Sequence, residues 1–161
     1  MDENNFSLNS IEVPQPPLER FAQFLKSRGK RVTKQRRIIV EQVFSHHDHF
    51  DADELMAHLR EAIAGRQVSR PTVYRTLAEL TEAGLIRKMT LAGRSVYEHA
   101  YGYPRHDHLH CQVCNTLIEF QSEELDRISQ SVAQQHDFEI SSHRMFVTGI
   151  CANCRKSPTP S

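Results

Sequence analysis

The sequence lacks the long apolar runs of membrane proteins and the features of an export signal. A membrane-spanning helix takes about 18–20 consecutive apolar residues, and no segment approaches that length. The first ten residues carry acidic side chains where a signal peptide has a positive region followed by an apolar one. These absences argue against membrane insertion and export, and they predict a cytoplasmic protein.

A net charge is also absent, because 20 Lys and Arg balance 20 Asp and Glu. The charges are distributed unevenly, however. Residues 18–104 carry 15 basic and ten acidic side chains, whereas residues 105–161 carry five basic and seven acidic ones. A basic part joined to a mildly acidic part indicates that only the first part contacts a polyanion.

The four cysteines form two C-x-x-C pairs, Cys111 with Cys114 and Cys151 with Cys154. In a reducing compartment this pattern favours a metal over disulfides, which are the alternative. Each pair places two thiolates on one turn, so the two turns together predict a tetrahedral structural Zn²⁺ site. The motifs of zinc enzymes, H-E-x-x-H or H-x-E with P-C-x-x-C, are missing. The sequence therefore predicts a protein that is not an enzyme.

The order of helix and strand signals predicts an α+β protein whose N-terminal domain is a winged helix-turn-helix. Residues 1–17 are polar and contain three prolines, which predicts a flexible arm. Residues 18–99 show four helical segments and then two strand-like runs joined by Ala92-Gly93, the order of helices and wing in that fold. The helix that follows the cap residue Ser69 is the predicted recognition helix.

The remainder of the chain predicts a hinge at residues 100–104 and a small α/β domain at residues 105–156, followed by a polar tail at residues 157–161. About 55 residues are too few for a generous core of their own. A zinc site and a dimer interface are therefore expected to stabilise this domain. Strands are predicted at residues 117–120, 138–140 and 145–150, with a helix from Ser122 to about Gln134.

A basic cluster precedes the predicted recognition helix. Residues 26–37 contain seven Lys and Arg and no acidic residue, and such clusters contact DNA phosphates with little dependence on sequence. On the recognition helix, Thr72, Tyr74 and Arg75 are expected to reach the groove, with Arg70 adding positive charge. Arginine reads guanine and a tyrosine ring can contact a thymine methyl group. The alternative for Tyr74 is a half-buried packing role.

A second constellation runs from His106 to Cys111, with the sequence HDHLHC. Alternate residues of a strand point to opposite faces, so His106 and His108 share a face while Asp107 takes the other. Imidazole with carboxylate suits Fe²⁺, Mn²⁺ or Zn²⁺. His106 and His108 are therefore predicted metal ligands, whereas His110 lies too close to the zinc cysteines to be assigned.

These motifs together resemble those of the ferric uptake regulator (Fur) family. The run from His106 to Cys114, followed by Ile118-Glu119-Phe120, resembles the family signature. Residues 71–77 (PTVYRTL) resemble its recognition helix, and residues 95–98 (SVYE) resemble its wing-to-hinge segment. The resemblance covers roughly residues 18–155 and implies a homodimer on double-stranded operator DNA, with pairing of dimers left open. It also implies a structural Zn²⁺ at the four cysteines and places Arg31 in the minor groove.

The resemblance further implies a regulatory metal site between the two domains, with His49, Glu98, His106, His108 and Glu119 as ligands. A metal held by both domains fixes their angle, and therefore the spacing of two recognition helices on DNA. Metal loading is then expected to repress genes for metal uptake.

The identity of the regulatory metal depends on few residues. Glu119 resembles the iron-sensing branch, because peroxide sensors tend to have an aspartate there, and this implies Fe²⁺ with Mn²⁺ or Zn²⁺ as alternatives or surrogates in vitro. A peroxide-, manganese- or zinc-sensing member of the family is the alternative. A zinc-stabilised protein-interaction module without metal sensing is an alternative of a different class.

Many members of the family have an additional metal site, which the resemblance places at Asp107, Asp126 and His143. Arg105 stands where a histidine is usual, and an arginine cannot deprotonate to bind a metal. The sequence therefore predicts that this site is weak or lacks a ligand.

Overall fold

A computed structural model describes residues 11–46, 48–62 and 68–156 of the chain. The described residues divide into two compact units, the first ending at Tyr103 and the second beginning at Pro104. The predicted tail at residues 157–161 and the first ten residues of the predicted arm lie outside this description. In the described part of the chain, no helix has the length and apolar character needed to cross a membrane.

The first unit combines four helices with a three-stranded antiparallel sheet. Strand β3 lies between β1 and β2, and the β2–β3 hairpin forms the wing. This arrangement confirms the predicted winged helix-turn-helix. The elements are α1 (Pro17–Ser27), α2 (Lys34–Val43), β1 (Phe50–Asp51), α3 (Ala52–Ala62), α4 (Arg70–Glu82), β2 (Ile86–Leu91) and β3 (Arg94–His99).

Local hydrogen bonds explain where the helices of this unit begin and end. The Ser69 hydroxyl accepts a hydrogen bond from the backbone N–H of Thr72 and caps α4. Before α3, Asp51 Oδ1 accepts from Glu54 N at 2.9 Å, and Glu54 Oε2 accepts from Asp51 N at 2.8 Å. This reciprocal pair is a capping box. Gly84 has φ +70° and ends α4, because other residues are strained in that conformation.

The core of the first unit fixes the orientation of α4. Val73, Leu77 and Leu80 on this helix have no solvent exposure, and they belong to one cluster with Phe21 of α1 and Ile39 of α2. Because one face of α4 is buried, the opposite face is available to a partner.

The second unit is a three-stranded mixed sheet with two helices. Strand β4 is central, antiparallel to β5 and parallel to β6. Within residues 104–156, Cys111 and Ala133 are the only buried apolar residues. The other buried residues of this unit are polar and are described below. The elements are β4 (Asp107–Cys111), β5 (Leu117–Phe120), α5 (Glu123–Gln135), β6 (Phe146–Gly149) and α6 (Ala152–Lys156).

The strand predicted at residues 138–140 is wrong. Asp137 has φ +50°, and Phe138 N donates a hydrogen bond to Ala133 O at 2.9 Å. These residues therefore close the C-terminal end of α5, and the Phe138 side chain is 68% exposed. An apolar residue on each side of Glu139 resembled strand alternation, but three residues are too few to distinguish a strand from a helix exit.

Candidate metal centres and nucleic-acid interface

The four cysteines meet at one end of the second unit. Cys111 ends β4, Cys114 lies in the following turn, and Cys151 and Cys154 lie just before and within α6. All four are free thiols, and their Sγ atoms lie within 4.8 Å of one another. Sulfur ligands in this number and proximity fit a tetrahedral Zn²⁺.

Backbone hydrogen bonds shape this cysteine cluster. Cys111 N donates to Thr116 O at 3.0 Å, and Asn115 N donates to Cys111 O at 2.9 Å, so the first C-x-x-C folds into a tight turn. Cys151 N donates to Cys111 Sγ at 3.3 Å and connects the two cysteine pairs. Such N–H···S bonds stabilise a thiolate, which is the metal-binding form.

The thiols of the cluster differ in acidity. The backbone N–H of Cys114, and next that of Cys151, lower the pKa of the Cys111 thiol to about 6. Hydrogen bonds with Cys151 and then with Cys114 raise the pKa of the Cys154 thiol to about 12. In the metal-free cluster the negative charge therefore lies first on Cys111, while Cys154 keeps its proton.

The first unit holds two of the predicted regulatory ligands as a pair. Phe50 in β1 is opposite Tyr97 in β3, and this antiparallel register brings the preceding His49 to the following Glu98. His49 Nε2 lies 3.3 Å from Glu98 Oε2. The Glu98 side chain is 3% exposed, so a buried carboxylate and an imidazole nitrogen are positioned together.

The second unit holds the other three predicted ligands. His108 in β4 is opposite Glu119 in β5, and His106 Nε2 lies 3.6 Å from Glu119 Oε1. The rings of His106 and His108 have centroids 4.7 Å apart, as expected for one strand face, and both residues are buried. The Pro104 carbonyl, 2.9 Å from His106 Nδ1, can only accept, so Nδ1 carries the hydrogen. The lone pair of His106 is therefore on Nε2, the atom that faces Glu119.

His110 continues the same row along β4. It is 8% exposed, and its ring centroid lies 5.7 Å from that of Phe146. Its Nε2 is buried and has no hydrogen-bond partner in the part of the chain that is described. Unlike His49 and His106, which each lie beside a carboxylate, His110 therefore has no partner for its Nε2 among the described residues.

The residues of the additional set are arranged around Arg105. The Arg105 guanidinium donates hydrogen bonds to Asp126 and to His143. Asp107 Oδ1 accepts from Met145 N at 2.7 Å. Across the described residues, Asp107, Asp126 and His143 do not bring three ligand atoms within 4.8 Å of one another.

The exposed face of α4 carries the predicted DNA-reading residues. Tyr74 is 46% exposed, Arg75 is exposed and Thr72 is half-buried. Arg70 is exposed and hydrogen-bonds Asp53 of α3, so its guanidinium is already oriented by a carboxylate. Arg31 is exposed, and its carbonyl accepts a hydrogen bond from Arg36 Nη1 at 2.9 Å.

Two acidic residues that the sequence reasoning missed lie against the basic cluster. Glu79 Oε1 accepts from Lys30 Nζ at 2.8 Å and from Arg36 Nη2 at 2.9 Å. Glu82 is paired with Arg28 at 3.1 Å. The only sequence signal for Glu79 is its spacing of three residues from the buried Thr76, which places both on one helix face. Three cations of the basic cluster are therefore paired with carboxylates of α4, although only Arg36 among them is mostly buried. Lys26, Lys34 and Arg37 are exposed.

Comparison with known proteins gives one family throughout. A model of the ferric uptake regulator family matches residues 27–148. The chain is 31% identical over 137 residues to the ferric uptake regulation protein of Campylobacter upsaliensis, covering 85% of this chain and 88% of that protein. It is 29% identical over 139 residues to the peroxide-responsive repressor PerR of Staphylococcus epidermidis, covering 86% and 91%.

The fold comparison agrees. The structure of the ferric uptake regulator Fur of Helicobacter pylori, described as revealing three functional metal binding sites, matches with a TM-score of 0.81 and 25% identity. The match covers 94% of this chain and 100% of that one. Sequence and fold thus lead to one conclusion: the chain belongs to the ferric uptake regulator family.

Proposed function

We propose that this protein is a dimeric, metal-responsive repressor that binds double-stranded operator DNA and controls metal-uptake genes, with Fe²⁺ as its regulatory metal. Membership of the ferric uptake regulator family makes it a metal-responsive regulator of transcription. The repressor role, the metal and the ligands are the proposal.

The observation that carries the proposal is a repeated pairing of imidazole with carboxylate. His49 lies beside Glu98 in the first unit, and His106 lies beside Glu119 in the second. We propose that one metal ion takes ligands from both pairs and from His108. Nitrogen and oxygen ligands in this combination suit Fe²⁺ and Mn²⁺, whereas thiolates suit Zn²⁺. The cysteine cluster is accordingly assigned to the structural Zn²⁺.

A metal bound in this way supplies a divalent charge that only the two units together neutralise. In its absence, the like charges of Glu98 and Glu119 would disfavour a conformation that brings the two carboxylates together. Metal loading therefore shifts the population toward the conformation in which both pairs serve one ion. The coupling to DNA follows if that conformation also sets the distance between the two α4 helices of a dimer.

The exposed face of α4 supports the DNA-binding part of the proposal. Arg75 and Tyr74 are assigned to base edges in the major groove, Thr72 and Arg70 to positions beside them, and Arg31 to the minor groove. The pairing of Arg70 with Asp53 orients its guanidinium and favours a role in placing the helix.

Exposed apolar residues support the dimer. Leu109 in β4 is opposite Ile118 in β5 and Val147 in β6, so the three form a row across one face of the sheet. Leu109 is 40% exposed and Val147 is 41% exposed. On α5, Ile128 and Val132 are also exposed. A unit with so little buried apolar surface of its own gains stability when a second copy covers this surface.

The test measures metal-dependent DNA binding with a matched pair of variants. A duplex is first selected from a random-sequence pool by the zinc-replete, Mn²⁺-loaded protein. Fluorescence anisotropy then follows its binding under anaerobic titration with Fe²⁺, Mn²⁺ or Zn²⁺. We expect His108→Ala to remove the metal stimulation, with metal affinity reduced by on the order of 100-fold. Zinc content and dimer mass should be unchanged.

The control is His110→Ala, which removes a buried imidazole from the same strand face two residues further on. We expect this variant to keep the metal response. Unchanged stimulation in His108→Ala, or equal losses in both variants, would show that the sensor lies elsewhere.

The second candidate is a peroxide-responsive repressor, which the 29% identity to the PerR repressor of Staphylococcus epidermidis favours. Peroxide added to the Fe²⁺-loaded protein distinguishes the two functions. Tight DNA binding that survives peroxide supports the iron-responsive repressor. Loss of binding together with an oxygen atom added to His49 or His106, detected by peptide mass spectrometry, supports the peroxide sensor.

A further inference from the structure

Arg105, Asp126 and His143 form a closed triangle of hydrogen bonds in the second unit. The Arg105 guanidinium uses one nitrogen for Asp126 and another for His143, at 2.8 Å from Nδ1 of the ring. The third side is formed by His143 Nε2, 3.4 Å from Asp126 Oδ1. Gln121 Nε2 donates to the backbone carbonyl of Arg105 at 2.7 Å and holds the arginine from the other side.

The chemistry of the guanidinium fixes the form of the histidine. Every nitrogen of an arginine side chain carries hydrogen and none accepts, so His143 Nδ1 must be the acceptor. The hydrogen of the ring is then on Nε2, which faces the Asp126 carboxylate. The lone pair on Nδ1 is therefore already used by a cation, and Nε2, which carries the hydrogen in this tautomer, offers no lone pair to a metal.

The guanidinium also meets the electrostatic need that a metal would meet. It places a permanent positive charge against Asp126 and links three segments, namely the residues before β4, helix α5 and the residues before β6. A single exposed ion pair contributes little to stability. Here, however, the planar Arg105 guanidinium makes two hydrogen bonds, and its two acceptors, Asp126 and His143, also contact each other.

The residues at this place therefore do not fit the additional metal ion that the family resemblance implies. We propose that the Arg105 guanidinium permanently takes the place of that ion. The arginine side chain holds Asp126 and His143 together, and the second unit binds no divalent ion there. Asp107 does not complete a site with them: Met145 N donates to its Oδ1, and among the described residues Asp107, Asp126 and His143 do not gather three ligand atoms within 4.8 Å of one another.

The experiment counts metal ions per chain in the full-length, zinc-replete protein by equilibrium dialysis against Mn²⁺ and elemental analysis. Asp126→Asn and His143→Ala should leave the Mn²⁺ count of the natural sequence unchanged. Arg105→His should raise the count by one, and Arg105→His/His143→Ala should return it to the original value. The same comparisons are made in a His108→Ala background, which lacks one proposed regulatory ligand. The regulatory site, whether or not that proposal holds, contributes equally to the Mn²⁺ count of every variant. The differences between variants therefore report on the Arg105 site alone.

Two results would overturn the proposal. One is a Mn²⁺ ion in the natural sequence that disappears with Asp126→Asn or His143→Ala, and the other is a folded Arg105→His variant that gains no ion. If Arg105→His does not fold, ¹H–¹⁵N spectra of the natural protein still decide. They should show His143 protonated on Nε2, with an Nδ1 resonance that Zn²⁺ titration leaves in place; a Zn²⁺-induced shift of that resonance would contradict the proposal.

Discussion

At the scale of single residues, Glu79 shows how a charge can be buried in a DNA-binding domain. Its side chain is 6% exposed, and Lys30 and Arg36 contact it from the loop before α2 and from α2 itself. Both cations donate to Oε1, whereas Oε2 lies 2.9 Å from Arg36 Nη2 without a hydrogen bond of good geometry in the described residues. The carboxylate thus joins α4 to α2 and to the loop before α2. A buried charge of this kind is costly without its partners.

The substitution Glu79→Gln should destabilise the protein by roughly 2–3 kcal/mol, the loss expected when the charged acceptor of a buried hydrogen bond is replaced by a neutral one. Arg36 is mostly buried and loses its counter-charge, and breaking a buried pair by removing one partner is costly. The matched control is Glu82→Gln on the same helix, whose pair with Arg28 is more than half exposed and should contribute less than about 1 kcal/mol. Urea unfolding of both variants at one pH and salt concentration measures the difference. Equal losses of stability would contradict the role assigned to burial.

At the scale of elements, the sequence predicted those whose signals are local. Ser69 caps its helix as expected, and Ser122 caps the helix that was predicted to begin there; each side chain accepts a hydrogen bond from the backbone N–H three positions ahead. Strand β1 and helix α6 were not predicted, because two and five residues are too short to show a period. Residues 138–140 gave a false strand signal for the same reason.

The candidate sites were predictable to a similar extent. Alternation along β4 placed His106 and His108 on one face, which the ring contact of the two residues matches. The pairing of His108 with Glu119 depends on the β4–β5 register, which a pattern in one strand does not contain. The contacts of Glu79 join residues more than 40 positions apart, so only the folded chain brings them together.

The cysteine turn and α6 together predict a pH dependence of zinc affinity. Zinc needs four thiolates, so protons compete with it and affinity falls as the pH falls. Cys154, with a pKa of about 12, releases its proton on zinc binding throughout pH 5–8. Cys111, with a pKa of about 6, is mostly ionised at pH 7 and takes up a competing proton only below about pH 6.

A plot of the logarithm of the zinc dissociation constant against pH should therefore steepen by about one unit below pH 6. Competition with a chelator of known proton and zinc affinity, on the full-length protein between pH 5 and 8, measures this slope. The His108→Ala variant controls for zinc taken up at the proposed regulatory ligands. A slope that stays constant through pH 6 would contradict the acidity assigned to Cys111.

At the scale of the whole molecule, the two units differ in how they are stabilised. The first unit has a continuous core that reaches from Phe21 to Tyr97. The second has a sheet whose row of Ile118, Leu109 and Val147 is open on one face, and its buried residues are largely the histidines and Asp107. Under the proposed function, a metal ion at the four cysteines and a second copy of the chain supply the stabilisation that this unit lacks.

The substitution Val147→Asp tests the dimer at its proposed apolar surface. A dimer would bury one new carboxylate from each chain without a partner, at a cost on the order of 3 kcal/mol, or about a 100-fold weaker association. Sedimentation at several protein concentrations should show monomers. Zinc content should stay the same, because Val147 is not a cysteine ligand and pairs with Leu109, two positions along the strand from the Cys111–Gly149 pair. The matched control is Ile11→Asp, an apolar side chain of the first unit that is 52% exposed and should leave the dimer intact. A Val147→Asp protein that remains dimeric would place the interface on another surface, because a charge in the middle of this row cannot be covered by an apolar partner without that cost.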